Sequence, residues 1–170
     1  MINILGKKEE FDEVKIHEDF VDTIWISLSN KIVDELLKIN NYLNRRDTMI
    51  DIYEVIISRR EVMNNCRKNN DLDLNSEEYK MRKLLCSKSS ILYWKEKCFE
   101  EAFPEPVSIP IKYLISILCD WTASAISKDE LEISSYYNNY HKDDFRLSNY
   151  TKDVIEELLP IFDNYLKTFY

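Results

Sequence analysis

Helical spacing of apolar residues recurs along most of the chain. The first apolar stripe contains Val21, Trp25, Leu28, Ile32, Leu36, Ile39 and Leu43. Steps of three and four positions place these side chains on one face of a helix of more than 20 residues. A second stripe, from about Asp47 to Asn65, predicts a second helix.

The middle of the chain predicts a third helix between two clear boundaries. Asn75 followed by Glu78 is typical of a capping box at a helix start. Apolar residues then recur at helical spacing as far as Ala102, and Pro104 and Pro106 end the pattern. We therefore expect one helix from about 75 to 102.

The remaining chain predicts up to three more helices. Pro110 suits the first turn of a fourth helix, which is apolar nearly all round and belongs at the centre of a bundle. Ser127 with Glu130 predicts a capping box for a short fifth helix. The last helix contains Pro160, which predicts a kink near Glu156.

These patterns predict one fold class and one domain. No segment alternates convincingly between apolar and polar residues, so no strand is predicted. We expect a single all-α domain over 1–170, a compact bundle of five or six helices, with 1–16 as an N-terminal extension and 17–170 as the helical bundle. Glycine occurs once, at Gly6, which argues against glycine-rich β-sandwiches, doubly wound sheets and phosphate loops.

Charge and cysteine content narrow the classes of partner. The formal net charge of −8 repels phosphate backbones, so we expect no general nucleic-acid binding. The four cysteines include no Cys-x-x-Cys pair, which argues against structural zinc. The first apolar run is too short for a signal peptide, and the longest, 109–126, contains Lys112 and Asp120. We expect a cytoplasmic protein without membrane association.

Asp120 is the most informative candidate for chemistry. A carboxylate inside the most apolar helix requires hydrogen bonds, a charged partner, a metal ion or a cavity, because burying it alone is costly. A structural hydrogen bond is the commoner explanation. His17 is expected to precede the first helix in solvent and His141 to lie in a polar turn.

The segment from Asp71 to Asn75 begins like a calcium-binding loop. An EF-hand requires glycine at position six and glutamate at position twelve, where this chain has Ser76 and Arg82. We therefore interpret the segment as an acidic helix entry.

Three short motifs resemble a known family. They are Asn75-Ser-Glu-Glu-Tyr79, Leu118-Cys-Asp-Trp-Thr-Ala123 and Phe145-Arg-Leu-Ser148. In this order they resemble an uncharacterised family of small helical proteins from bacteria and their phages, itself similar to HD-type phosphohydrolases. The likeness runs from about Asp19 to Leu159 and implies an HD-domain-like bundle.

The resemblance also implies an altered metal site. The family's first histidine falls near Thr23, its His-Asp pair becomes Ile50-Asp51, and its final aspartate is Asp120. Its histidine-rich stretch becomes Trp94–Cys98 and beyond without a histidine, and an arginine is replaced by Asp144. HD-type chemistry needs imidazoles beside carboxylates to hold a transition metal. The resemblance therefore implies a retained scaffold that has lost catalysis.

The sequence supports three hypotheses of function. The first is a non-catalytic binding protein, with no catalytic residues and no cofactor, that binds a small ligand or partner protein; its ligand-binding residues are Asp51, Asp120, Trp121 and Thr23. The second is a divergent metal-dependent phosphohydrolase, in which Asp51 and Asp120 hold Mg²⁺ or Mn²⁺ weakly. The third is an acidic immunity or anti-defence factor that binds a basic protein. Each is compatible with an oligomer.

Overall fold

The chain folds into helices that pack around one apolar core. The computed structural model describes residues 2–68, 76–99, 105–141 and 146–169. Within these ranges there are seven helices and no strand: α1 (Ile2–Ile39), α2 (Arg45–Lys68), α3 (Glu77–Lys88), α4 (Ile91–Phe99), α5 (Ile111–Ser127), α6 (Ser134–His141) and α7 (Asn149–Lys167). The prediction of an all-α fold is confirmed at this level.

Helix α5 forms the centre of the bundle, as its composition predicts. It packs against α1, α2 and α7, and α1 also packs against α2 and α7. Eleven of its residues are buried, from Tyr113 to Ala125. Pro110 lies at its N-cap, where the missing N–H costs no hydrogen bond.

The predicted third helix is two helices, which is one reason for the larger helix count. α3 ends at Lys88, and α4 begins at Ile91 after Ser89 and Ser90. The Ser89 hydroxyl donates a hydrogen bond of 2.6 Å to the carbonyl of Cys86. Serine side chains compete with helical backbone in this way. Apolar residues on both sides of the break face the same core, so their spacing did not reveal it.

The predicted capping box at Ser127 is wrong. Ser127 is the last residue of α5, and its hydroxyl donates to the carbonyl of Ala123. Helix α6 begins at Ser134 instead, next to Ile133, whose N–H donates to Oδ1 of Asp163 at 2.8 Å. The group that caps α6 therefore comes from α7, which no local motif could predict.

Helix α1 is longer than its apolar stripe. It begins at Ile2, so residues 2–16 form its first turns, and His17 lies inside the helix rather than before it. The expected position of His17 is therefore wrong. In α7, Pro160 lies within the helix as predicted. No helix in the described ranges has both the length and the apolar character needed to cross a bilayer.

Some predictions fall on residues outside the described ranges. These are the calcium-like segment up to Asn75, the end of the third predicted helix at Ala102, and Asp144. The prediction of a polar turn at His141 is wrong, because His141 is the last residue of α6, although its side chain lies outside what the structure describes.

Candidate functional site

Four polar side chains from three helices meet at one side of the core. His17 and Glu18 come from α1, Arg59 from α2 and Asp120 from α5. We call these four residues the Arg59 cluster, because the guanidinium donates to both carboxylates and its Nη2 lies 3.4 Å from Nε2 of His17.

Arg59 joins two carboxylates. Its Nε donates to both carboxylate oxygens of Glu18, at 2.9 Å each, and its Nη2 donates to Oδ1 of Asp120. Only 8% of the Arg59 side chain and 3% of the Glu18 side chain are exposed. Burial by itself lowers the pKa of Arg59, but the charges of Asp120 and Glu18 outweigh it and hold that pKa above the ordinary range. The guanidinium therefore stays charged.

Asp120 has a second partner in His17. Nε2 of His17 lies 2.6 Å from Oδ1 of Asp120. Burial raises the pKa of Asp120, but the hydrogen bond from His17 and the charge of Arg59 lower it by more, so the net pKa lies below the ordinary value. An ionised carboxylate only accepts, so Nε2 is the protonated nitrogen, and in the neutral ring Nδ1 remains an acceptor.

A cavity of about 730 Å³ opens beside the cluster. We call it the Arg59 cavity. Its lining residues are Glu13, Val14, Ile16, His17, Glu18, Arg59, Met63 and Ser127. Three polar members belong to the Arg59 cluster, whereas Val14, Ile16 and Met63 supply apolar surface. Concave sites that combine apolar surface with a few fixed polar groups are typical of small-molecule binding.

The structure does not bring Asp51 to Asp120. Asp51 is exposed and lines a separate cavity of about 280 Å³ beside Pro110 and Lys112, at the start of α5. Asp120 lies eight residues beyond Lys112, which is about 12 Å along the helix. Asp51 and Asp120, which two of the hypotheses assign to one binding site, therefore do not line one cavity.

Trp121 and Thr23 also lie apart from the Arg59 cavity lining. Trp121 is buried and stacks on Tyr136, with ring centroids 6.2 Å apart. Thr23 is exposed, and its hydroxyl donates to the carbonyl of Asp19 one turn earlier. Of the four predicted ligand-binding residues, Asp120 is the one that belongs to the Arg59 cluster.

His17, Glu18 and Arg59 were not predicted from the sequence, although a signal for two of them existed. Glu18 lies three positions before Val21 and continues the buried stripe of α1. Arg59 lies three positions after Ile56 and continues the buried stripe of α2. A charged residue at a core position of an amphipathic helix requires a partner, and here each is the partner of the other. His17 carries no such signal.

The described residues contain no group of three or more histidine, cysteine or carboxylate side chains arranged to hold a metal ion. No protein-family model matches the chain, and no curated protein and no solved structure matches it either. Function is therefore inferred from the geometry of the site.

Proposed function

We propose that this protein is a non-catalytic helical binding protein that takes a small organic ligand into the Arg59 cavity. In this proposal the bundle is a degenerate HD-like scaffold. The observation that carries the proposal is the placement of Arg59 between the carboxylates of Glu18 and Asp120, beside a cavity with apolar surface.

The position of the guanidinium argues for binding rather than metal chemistry. A catalytic metal ion needs protein atoms with free lone pairs to coordinate it. It also needs an unoccupied coordination position for substrate or water. Here Arg59 already supplies the positive charge that both carboxylates need. A divalent cation would have to compete with a guanidinium that is covalently attached and hydrogen-bonded to both acids.

The shape of the cavity supports an organic ligand. A volume of about 730 Å³ lies within the range typical of small-molecule sites. Its apolar residues come from α1 and α2, while the polar groups are fixed by hydrogen bonds to one another. Polar groups held in this way can orient a ligand without losing further side-chain conformational entropy when it binds.

A cavity-filling variant tests the proposal. Ser127 is exposed and lines the cavity at the end of α5, so Ser127→Trp would occupy the volume without disturbing the core. A neutral, environment-sensitive naphthalene dye should bind the wild-type chain with one-to-one stoichiometry by fluorescence titration. We expect Ser127→Trp to weaken that binding at least about tenfold, equivalent to about 1.4 kcal/mol.

Ser87→Trp is the matched control, because Ser87 is also exposed but lies on α3. It should leave the dye affinity unchanged. Equal affinities for all three proteins would contradict the proposal. So would hydrolysis of a phosphodiester in the presence of Mn²⁺ or Mg²⁺ that disappears in Asp120→Ala, because that result identifies a metal-dependent phosphohydrolase.

A further inference from the structure

We infer that the ligand of the Arg59 cavity is an organic cation: a primary or secondary ammonium group on an apolar body. This inference rests on the proposed function and adds the chemical class of the ligand. It is carried by the charges around the cavity, the acceptor atoms that remain there and the apolar residues beside them.

Among the residues whose side chains the structure describes, the charges around the cavity sum to a negative value. Within the cluster, Glu18 and Asp120 are negative and Arg59 is positive, so these three residues carry one net negative charge. Glu13, which is exposed, adds another at the rim. Low-dielectric surroundings strengthen the attraction of such a site for a cation.

Arg59 does not reverse this preference. Its charge is in direct contact with two carboxylates, and Nε and Nη2 are both committed to them. An anionic ligand that reached the guanidinium would therefore also lie near these two carboxylates. Like charges brought together in a partly desolvated site cost several kcal/mol. An anion is therefore disfavoured.

The cluster still offers acceptors to an ammonium group. Each carboxylate oxygen has two lone pairs, and each Glu18 oxygen accepts one contact from Arg59. In the neutral tautomer His17 also presents Nδ1, because Nε2 donates to Asp120. An ammonium group has only donors, so it can complete these acceptors without creating an unsatisfied group.

The apolar part of the ligand has surface to contact. Val14 and Ile16 are exposed on α1, and Met63 on α2 lines the same cavity. A flexible methionine adapts to ligands of different shape. Burying an alkyl or aryl group here gains about 25 cal/mol for each Å² of apolar surface removed from water. A small inorganic cation has no apolar body to bury against this surface, so we expect it to bind less well.

Three matched compounds test the inference by displacement of the naphthalene dye. We use 4-phenylbutylamine, 4-phenylbutanol and 4-phenylbutyrate, which share the apolar body and differ in charge. The amine should bind at least about tenfold more tightly than the carboxylate, with the alcohol between them. Sodium chloride should narrow the difference, because salt screens the charges near the rim.

Glu13→Gln tests the electrostatic origin of the preference. Glu13 lies at the rim outside the Arg59 cluster, so this variant should fold normally. It should weaken the amine about two- to fivefold and leave the alcohol unchanged, since only the amine carries a charge. Glu96→Gln is the matched control, because Glu96 is exposed on α4 and lines no part of this cavity. It should change neither affinity.

The outcomes separate this inference from the proposed function. If the three compounds bind equally, or the carboxylate binds best, the inference is overturned while ligand binding stands. If the dye binds but none of the compounds displaces it, the inference is also overturned. If the dye does not bind, calorimetry with the amine decides: binding abolished by Ser127→Trp supports the inference, and no binding overturns both proposals.

Discussion

At the scale of single residues, Arg59 determines whether the cluster is stable. Three groups around it are charged or polar, and Glu18 is almost completely buried. A buried ion pair adds little net stability, because desolvation offsets much of the Coulombic attraction. Removing one member is different, because the remaining charge stays buried without compensation. The cluster is therefore sensitive to any change that leaves its charges unequal.

Arg59→Met should be strongly destabilising. Methionine retains much of the apolar stem but leaves Glu18 and Asp120 without their shared cation. We expect a loss of about 3–5 kcal/mol in the free energy of unfolding, measured by urea denaturation.

Arg46→Met controls for loss of a positive charge on α2, because Arg46 is exposed. It should change the free energy of unfolding by about 0.5 kcal/mol or less. Adding Glu18→Leu to Arg59→Met should restore part of the loss, because it removes an uncompensated charge. Additive losses in the double variant would contradict the assignment.

Asp120 should make the protein sensitive to acid. Because its pKa is lowered in the folded state, the unfolded state binds the proton first as pH falls. The stabilisation is complete above the unfolded value of about 3.9 and declines as pH falls through the folded pKa. In urea titrations, wild type should exceed Asp120→Asn in stability most at neutral pH, and the difference should shrink below about pH 4. A difference that stays constant with pH would contradict this.

At the scale of elements, helix ends divide into those that are capped locally and those that are not. The Ser76 hydroxyl accepts from the N–H of Tyr79 at α3, and the Ser148 hydroxyl accepts from the N–H of Thr151 at α7. Helix α6 relies on Asp163 from another helix. The first kind can be predicted from the sequence, but the second depends on packing.

Ser148→Ala should remove the N-cap of α7. The variant loses the bond to Thr151 and also the acceptor for the Ser108 hydroxyl. We expect a loss of about 1 kcal/mol in the free energy of unfolding. Ser87→Ala is the comparison, since the Ser87 hydroxyl bonds a carbonyl within α3 and caps no helix start. It should lower stability by no more than about 0.5 kcal/mol, and equal losses would argue against the capping role.

At the scale of the whole molecule, one core joins the helices. Buried apolar residues of α1, α2, α5 and α7 belong to a single cluster. The Arg59 cluster links α1, α2 and α5 at one side of this core. The cavity thus lies against packed helices rather than on a loop, which fixes its polar groups in place.

Phe162→Ala tests the continuity of this core. Phe162 on α7 is fully buried, so its truncation should lower the free energy of unfolding by about 3–5 kcal/mol. Phe169→Ala is the control, because that side chain is 45% exposed. It should lower the free energy by less than about 1 kcal/mol. Similar losses in both variants, measured by urea denaturation, would indicate that α7 is not packed as described.

Prediction from sequence succeeded where the signal was periodic and local. The first stripe lies on α1 from Val21 to Ile39, and the second, from about Asp47, lies on α2. The apolar helix after Pro110 is the central helix. It failed at Ser89, because the apolar spacing continues from α3 into α4 across the break. It also failed at Ser127, where the sequence matches a capping box but the residue ends α5. Asp120 is the member of the Arg59 cluster that was predicted from the sequence, because it lies within the most apolar helix.

The sequence by itself determined that this chain is helical and which helix faces are buried. Both follow from apolar residues that recur about every 3.6 positions within a single segment. Tertiary structure alone decided which polar groups meet. Arg59 is 41 positions from Glu18 and 61 from Asp120, and no local pattern encodes a partner at such a distance. Glu18 and Arg59 are buried only once α1 and α2 have packed against α5, and it is this burial that makes each charge require the other.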